Sequence, residues 1–272
     1  MARVRMVVAY DGAQFRGMAE NDGVPTVARA LRGQLERVAE HPVIITIAGR
    51  TDAGVHAWGQ VVSFDIRADR ADPVALARVV NMACVPAIVV RECEIAADDF
   101  DARFSARSRS YRYTVINRPL PDPFLAPTTW WVPQPIDVKA LHLGCDPLIG
   151  GHDFSSFCRK PKTDLEFSMI RRVRDARWHE LGDGILRFDI EANAFCHQMV
   201  RSIVGTLVDM GRGRLRPGEM ATILAARDRS LSGVVAPAQG LCLWEVGFGE
   251  VHPETPGGAG KSGELPGSGR RP

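Results

Sequence analysis

A chain of 272 residues, 45% hydrophobic and 24% charged, has the make-up of a globular protein with one large core or two ordinary ones. Its formal net charge of +2 excludes a globally basic nucleic-acid binder, so any such site must come from locally clustered arginines. No apolar run approaches the ~20 residues that span a bilayer, and six scattered cysteines without a C-x-x-C pair are expected as buried free thiols of a reducing cytosol.

Met1 to Arg5 leads into a strand pattern with no signal-peptide core. Alternation of Val4, Met6, Val8 and Tyr10 predicts a strand over 3–10, followed by the turn Tyr10-Asp11-Gly12 and a polar loop to Pro25. Thr26 is the N-cap expected for a helix whose Val27, Leu31, Leu35 and Val38 form one apolar stripe. Strands are expected over 43–47 and 61–66. Asp72 followed by Pro73 opens a helix to about residue 83, and 87–95 reads as a fourth strand.

The second half repeats the order loosely. A strand is expected over 111–117 and a helix after the cap Asp137. A hairpin joins 170–178 to 185–191 around Leu181-Gly182-Asp183-Gly184. Met199, Ile203, Val204 and Leu207 mark a helix over 195–210, Pro217 opens another to Arg227, and 241–248 is the last strand. The fold class is therefore α+β. Two tandem ferredoxin-like β-α-β-β-α-β halves, 1–104 and 105–248, are expected to form an extended sheet with helices on one face. Seven glycines and four prolines among residues 249–272 predict a disordered tail.

Between the strands expected at 43–47 and 61–66 lies Gly49-Arg50-Thr51-Asp52-Ala53-Gly54-Val55-His56-Ala57. Two readings stand at this level: a rigid loop that mounts a catalytic carboxylate, or an Asx-turn closed by Asp52. No Walker lysine loop, G-x-G-x-x-G or H-E-x-x-H is present, which disfavours nucleotide-cofactor and zinc-hydrolase chemistry. Cys196 and His197, taken as helical neighbours about 100° apart, cannot form a nucleophile–base pair. Arginines cluster at 103, 107, 109 and 112, at 171, 172, 174 and 177, and at 201, 212, 214 and 216. The first cluster is interleaved with Phe104, Tyr111 and Tyr113, as a surface that binds phosphates and stacks bases requires. A solvated basic face is the plainer alternative for any one cluster.

The chain resembles the tRNA pseudouridine synthase A family along nearly its whole folded length. The nine residues from Gly49 to Ala57 carry that family's signature. Supporting matches follow in order: Tyr10-Asp11-Gly12 with Phe15 and Gly17, Ala102-Arg103-Phe104-Ser105-Ala106, Arg109-Ser110-Tyr111-Arg112-Tyr113, Gly151-His152-Asp153-Phe154, Met199-Val200-Arg201 with Gly205, and Ala236-Pro237 with Gly240-Leu241. The resemblance implies a cytoplasmic homodimer with a basic RNA-binding cleft. It would isomerise uridine at positions 38, 39 and 40 of the tRNA anticodon stem-loop, with no cofactor and no membrane contact.

By the same resemblance Asp52 is the catalytic residue, acting at C6 of the uracil or at C1′. Arg50 and Arg201 pair with its carboxylate or with a phosphate, Tyr111 stacks on the flipped base, and Leu241 walls the base pocket. A helix arginine whose stem packs while its charge reaches solvent is the plainer reading of Arg201, and a core strand leucine that of Leu241. The chain departs from the family pattern at Gly17-Met18-Ala19-Glu20-Asn21 and at Asp101. Both departures bear on substrate range and affinity, with Glu20 expected to repel phosphate. The competing readings are a non-catalytic tandem RNA-binding module, a related synthase with a shifted RNA target, and an unrelated α+β enzyme that uses a buried thiol.

Overall fold

The computed structural model describes residues 1–160 and 168–249. The tail expected over 249–272 lies, Gly249 apart, outside the described residues. The first half runs β1 (Ala2–Tyr10), α1 (Val27–Ala39), β2 (Thr46–Ile47), β3 (His56–Ile66), α2 (Pro73–Cys84) and β4 (Ile88–Ile95). The second runs β5 (Ser108–Ile116), β6 (Trp130–Trp131), α3 (Val138–Cys145), β7 (Gly150–Asp153), β8 (Ile170–Glu180), β9 (Ile185–Ala192), α4 (Met199–Gly211), α5 (Glu219–Ala226) and β10 (Leu241–Gly247). Among the described residues no helix is long and apolar enough to cross a membrane.

The expected caps close the helices. Thr26 Oγ1 accepts the Arg29 N–H at 3.4 Å, Asp72 accepts those of Val74 and Ala75, and Asp137 accepts that of Lys139. Each satisfies donors that a helix start leaves unpaired.

All ten strands belong to one mixed sheet in the order β4-β1-β3-β10-β5-β9-β8-β7, with β2 on β3 and β6 on β5. One edge of β3 is shared between the halves. Its Val62 and Ser63 pair with β2, while His56 and Ala57 run parallel to Cys242 and Leu243 of β10. The loop 48–55 therefore emerges at the seam, where β2 gives way to a strand from the end of the chain.

Three of the expected boundaries that move have an identifiable cause. The strand expected over 43–47 shrinks to Thr46–Ile47, because the Val43 N–H is taken by Glu36 Oε1 of α1 at 3.1 Å. The strand expected from residue 61 begins at His56, since β10 supplies a partner that the local pattern does not reveal. The helix expected from residue 195 begins at Met199, after Gln198 takes a left-handed backbone conformation (φ 66°). Every residue of α4 except Arg201 is buried, so this helix is a core element covered on all sides.

Candidate active site

The backbone of loop 48–55 is pinned on several sides. The Ala48 N–H donates to the Val61 carbonyl at 2.9 Å. Gln60, fully buried on β3, donates from Nε2 to the Gly49 carbonyl at 2.6 Å and accepts the Gly49 N–H at 3.2 Å. Thr51 is buried with its Oγ1 2.7 Å from the Tyr10 hydroxyl, and burial pushes the Tyr10 phenol up to about 12. Gly12 passes so close that a Cβ would lie 2.1 Å from the Val55 carbonyl oxygen, and its N–H donates to His56 Nδ1 at 3.1 Å. The turn closes through the backbone and not, as the Asx-turn reading required, through the Asp52 side chain: the Val55 N–H donates to the Asp52 main-chain carbonyl at 3.1 Å, and Gly54 takes φ +77°.

Held in this way, the Asp52 side chain remains about a quarter exposed and faces a cleft of about 1190 Å³. Arg201 Nη1 lies 3.4 Å from its Oδ2, and His197 Nε2 lies 3.4 Å from its Oδ1. Arg201 is itself oriented by its Nε, which donates to the Ala236 carbonyl at 2.7 Å, while the Ala236 N–H donates back to the Arg201 carbonyl at 3.1 Å. A Cβ at Gly205 would sit 1.6 Å from the Val234 carbonyl, so only glycine lets α4 approach the segment that aims Arg201. Arg201 is thus a bridge from the second half to the carboxylate. The solvated-arginine reading does not describe it.

Tyr111 and Leu241 line the same cleft. Tyr111 meets Phe195 edge to face, with centroids 5.0 Å apart. Burial, then the nearby Tyr10 and Asp52, raise its phenol well above the ordinary range, so the hydroxyl keeps its proton at neutral pH. Leu241 is 6% exposed and stands opposite Tyr113 across the β10–β5 ladder, which makes it a core leucine that also presents a wall to the cleft. The Tyr113 hydroxyl donates to the Pro237 carbonyl at 2.8 Å. The Ala236-Pro237 motif is thereby tied to both β5 and α4.

Arg50 is exposed and lines the cleft, but it makes no ion pair with Asp52 among the described residues. The arginine clusters divide once side chains are placed. Arg109 is a structural clamp: its guanidinium donates to the carbonyls of Ala48, Arg103, Ala106 and Asn193, and burial lowers its pKa. Arg112 stacks over Trp244 and faces Asp189, Arg174 pairs with Glu191, and Arg177 pairs with Asp175. The cleft itself is lined by Arg16, Arg50, Arg103, Arg109 and Arg201, against the carboxylates of Glu20 and Asp52.

The atypical segment after Gly17 also differs from expectation. Glu20 is engaged by Arg32 of α1 at 2.7 and 2.9 Å, which offsets the charge expected to repel phosphate. Met18 is fully buried, and its N–H donates to the Thr51 carbonyl at 3.2 Å, so this segment supports loop 48–55.

His197 is the site residue that sequence reasoning missed. The 100° argument assumed a helix, whereas residues 195–198 form the turn before α4. No local signal placed it there, because His197 lies outside the helix that carries Arg201. Cys196 lies against Cys158, whose thiol hydrogen bond lowers the Cys196 pKa, and all six cysteines are free; Cys145 and Cys158 are buried and the other four are half-buried. Among the described residues no group of three His, Cys, Asp or Glu side chains is arranged to hold a metal ion.

Comparison with known proteins places this geometry in a family. The profile of the tRNA pseudouridine synthase family matches residues 6–105 and 145–249. The chain is 39% identical over 266 residues to the tRNA pseudouridine synthase A of Leifsonia xyli subsp. xyli (strain CTCB07), covering 90% of this chain and 91% of that protein. It is 40% identical over 253 residues to that of Xanthomonas euvesicatoria pv. vesicatoria (strain 85-10), covering 92% and 95%. Among solved structures, it aligns with a Cbf5-Nop10-Gar1 complex at 12% identity and a TM-score of 0.32, over 75% of this chain and 45% of that one, too weak a likeness to argue from.

Proposed function

The chain belongs to the tRNA pseudouridine synthase family, and from that premise we propose that it isomerises uridines 38, 39 and 40 of the anticodon stem-loop, with Asp52 as nucleophile and no cofactor. Family membership makes it an isomerase acting on tRNA. The observation that carries the finer reading is the setting of Asp52. It is a carboxylate on a backbone-pinned loop, open to the cleft, with Arg201 on one oxygen and a buried tyrosine and leucine beside it.

The chemistry requires one N1–C1′ bond to break and one C5–C1′ bond to form. The proton lost at C5 is matched by one gained at N1, so no oxidant, reductant or acceptor enters the balance. Asp52 serves either by adding to C6 or by attacking C1′. Arg201 orients the carboxylate on both routes. The target uridine must leave its stack to reach Asp52, and Tyr111 with Leu241 supplies the apolar walls that receive it. Because Tyr111 holds its proton, any transfer of the C5 proton through it must pass its own proton onward.

The arginines lining the cleft support a basic RNA-binding surface, with Arg50 free to take a phosphate and the 75% exposed Phe104 beside Arg103 offering a stacking face. We read the two halves, 1–104 and 105–248, as tandem ferredoxin-like units. The observation in favour is that each places its first strand between its last and its next-to-last, β4-β1-β3 and β10-β5-β9. Homodimerisation and a cytoplasmic location complete the proposal; sedimentation of the full chain as a monomer, or fractionation with membranes, would remove them.

The test is incubation of undermodified tRNA with the protein and with Asp52→Ala, followed by mapping of pseudouridine by carbodiimide-blocked primer extension. Product in the anticodon stem for the wild type and none for the variant, with tRNA binding kept, is expected. Equal product from both would sink the assignment of Asp52, and product at other tRNA positions would shift the substrate. Binding without product from either would favour a non-catalytic module.

A further inference from the structure

Asp52 is approached by a second donor that the mechanism above does not use. His197 Nε2 faces Oδ1 at the same 3.4 Å that separates Arg201 Nη1 from Oδ2, so the carboxylate is approached on both oxygens from one stretch of chain. The His197 side chain is about half exposed toward the cleft, yet its backbone is not loose. The Arg159 N–H donates to the His197 carbonyl at 2.9 Å, and the Ser202 N–H donates to the Gln198 carbonyl at 3.0 Å. Gln198 holds the left-handed conformation that turns the chain into α4, and its side-chain carbonyl accepts from Arg229 Nη2 at 2.6 Å. A non-glycine residue kept in that conformation and tied by a long-range arginine marks a turn whose geometry is over-determined.

We propose that His197 is a positioning residue for Asp52, an inference that rests on the reading of Asp52 as nucleophile. Its Nε2–H and the Arg201 guanidinium address one carboxylate oxygen each and so fix the rotation of the carboxylate plane. Contacts of 3.4 Å are long for a charge-assisted bond, and such contacts tighten when substrate closes a site. A histidine suits this second position. Its ring Nε2 can direct a single N–H at one carboxylate oxygen while the Arg201 guanidinium holds the other. His197 therefore acts on the reaction through Asp52, and its loss is expected to appear in turnover more than in tRNA affinity.

The test compares His197→Ala, His197→Met and His197→Gln with Asp52→Ala in steady-state and single-turnover assays on undermodified tRNA. Glutamine carries an N–H donor near the place of Nε2; methionine fills the space without one. His197→Ala and His197→Met are expected to lower kcat by about 10- to 100-fold, with KM within about twofold, the range for loss of a hydrogen bond to a charged group. His197→Gln is expected to recover to within about fivefold of wild type, with all variants melting like the parent. Wild-type kcat in both His197→Ala and His197→Met would overturn the proposal. So would a raised KM at unchanged kcat, which marks a contact to RNA, or a His197→Gln as slow as His197→Ala. Turnover retained by Asp52→Ala is a separate outcome that removes the nucleophile itself, and with it the premise.

Discussion

The two stretches that meet at Asp52 differ in what backs their hydrogen bonds. Loop 48–55 has little regular structure of its own and is fixed by buried polar contacts: Gln60 on Gly49, Tyr10 on Thr51, and Arg109 on the Ala48 carbonyl. The turn at 195–198 is fixed because it leads into α4, a helix buried along its whole length apart from Arg201. The loop therefore depends on a few satisfied hydrogen bonds, whereas the turn adds the apolar packing of α4 to the hydrogen bonds from Arg159 and Arg229. A substitution at the loop's anchors should cost stability and turnover together, whereas one at the exposed arginines of the cleft should leave the fold untouched.

Gln60→Leu breaks that comparison most sharply. It leaves the half-buried Gly49 N–H and carbonyl without their side-chain partner, and polar groups buried without partners cost about 1–3 kcal/mol each. A stability loss of about 2–4 kcal/mol in urea denaturation, together with a fall in kcat, is expected. Unchanged stability would show that the loop is held by something other than Gln60.

A paired experiment separates anchoring from RNA contact among the arginines. Arg109→Met strips donors from four backbone carbonyls and should destabilise the fold by about 2 kcal/mol, while hardly changing how steeply tRNA affinity falls with salt. Arg50→Ala should do the reverse. Its stability stays at the wild-type value, affinity drops, and the slope of log affinity against log salt is shallower by about one unit. Equal salt slopes for wild type and Arg50→Ala would remove Arg50 from the phosphate contacts.

The smallest effect concerns the tyrosines, all three of which lie in or beside the site. Burial raises the phenols of Tyr10, Tyr111 and Tyr113. An unfolded tyrosine ionises near ~10, so the stabilising contribution is complete below that pH. It is lost as pH climbs from there through about 12, the value reached by Tyr10, because the unfolded chain then releases protons that the fold retains. Absorbance of tyrosinate at 295 nm should stay flat in the native protein past the point where the denatured chain has half titrated. Coincident titration curves would contradict the buried positions given to all three rings.

Much of this was legible in the chain itself. Alternation, apolar stripes and the caps Thr26, Asp72 and Asp137 are local signals, and local hydrogen bonds and periodic burial are what they report. The run Gly49 to Ala57 is contiguous for a similar reason: a tight turn that presents a carboxylate needs its residues side by side. Tertiary structure alone decided the rest, because the deciding partners are far apart in sequence. It turned Arg109 from a candidate phosphate ligand into a clamp and engaged Glu20 with Arg32. By starting the helix only at Met199, it brought His197 to Asp52 across 145 positions. Whether a charged side chain meets a phosphate, a carbonyl or a carboxylate depends on which strands lie beside it, and neither spacing nor composition contains that information.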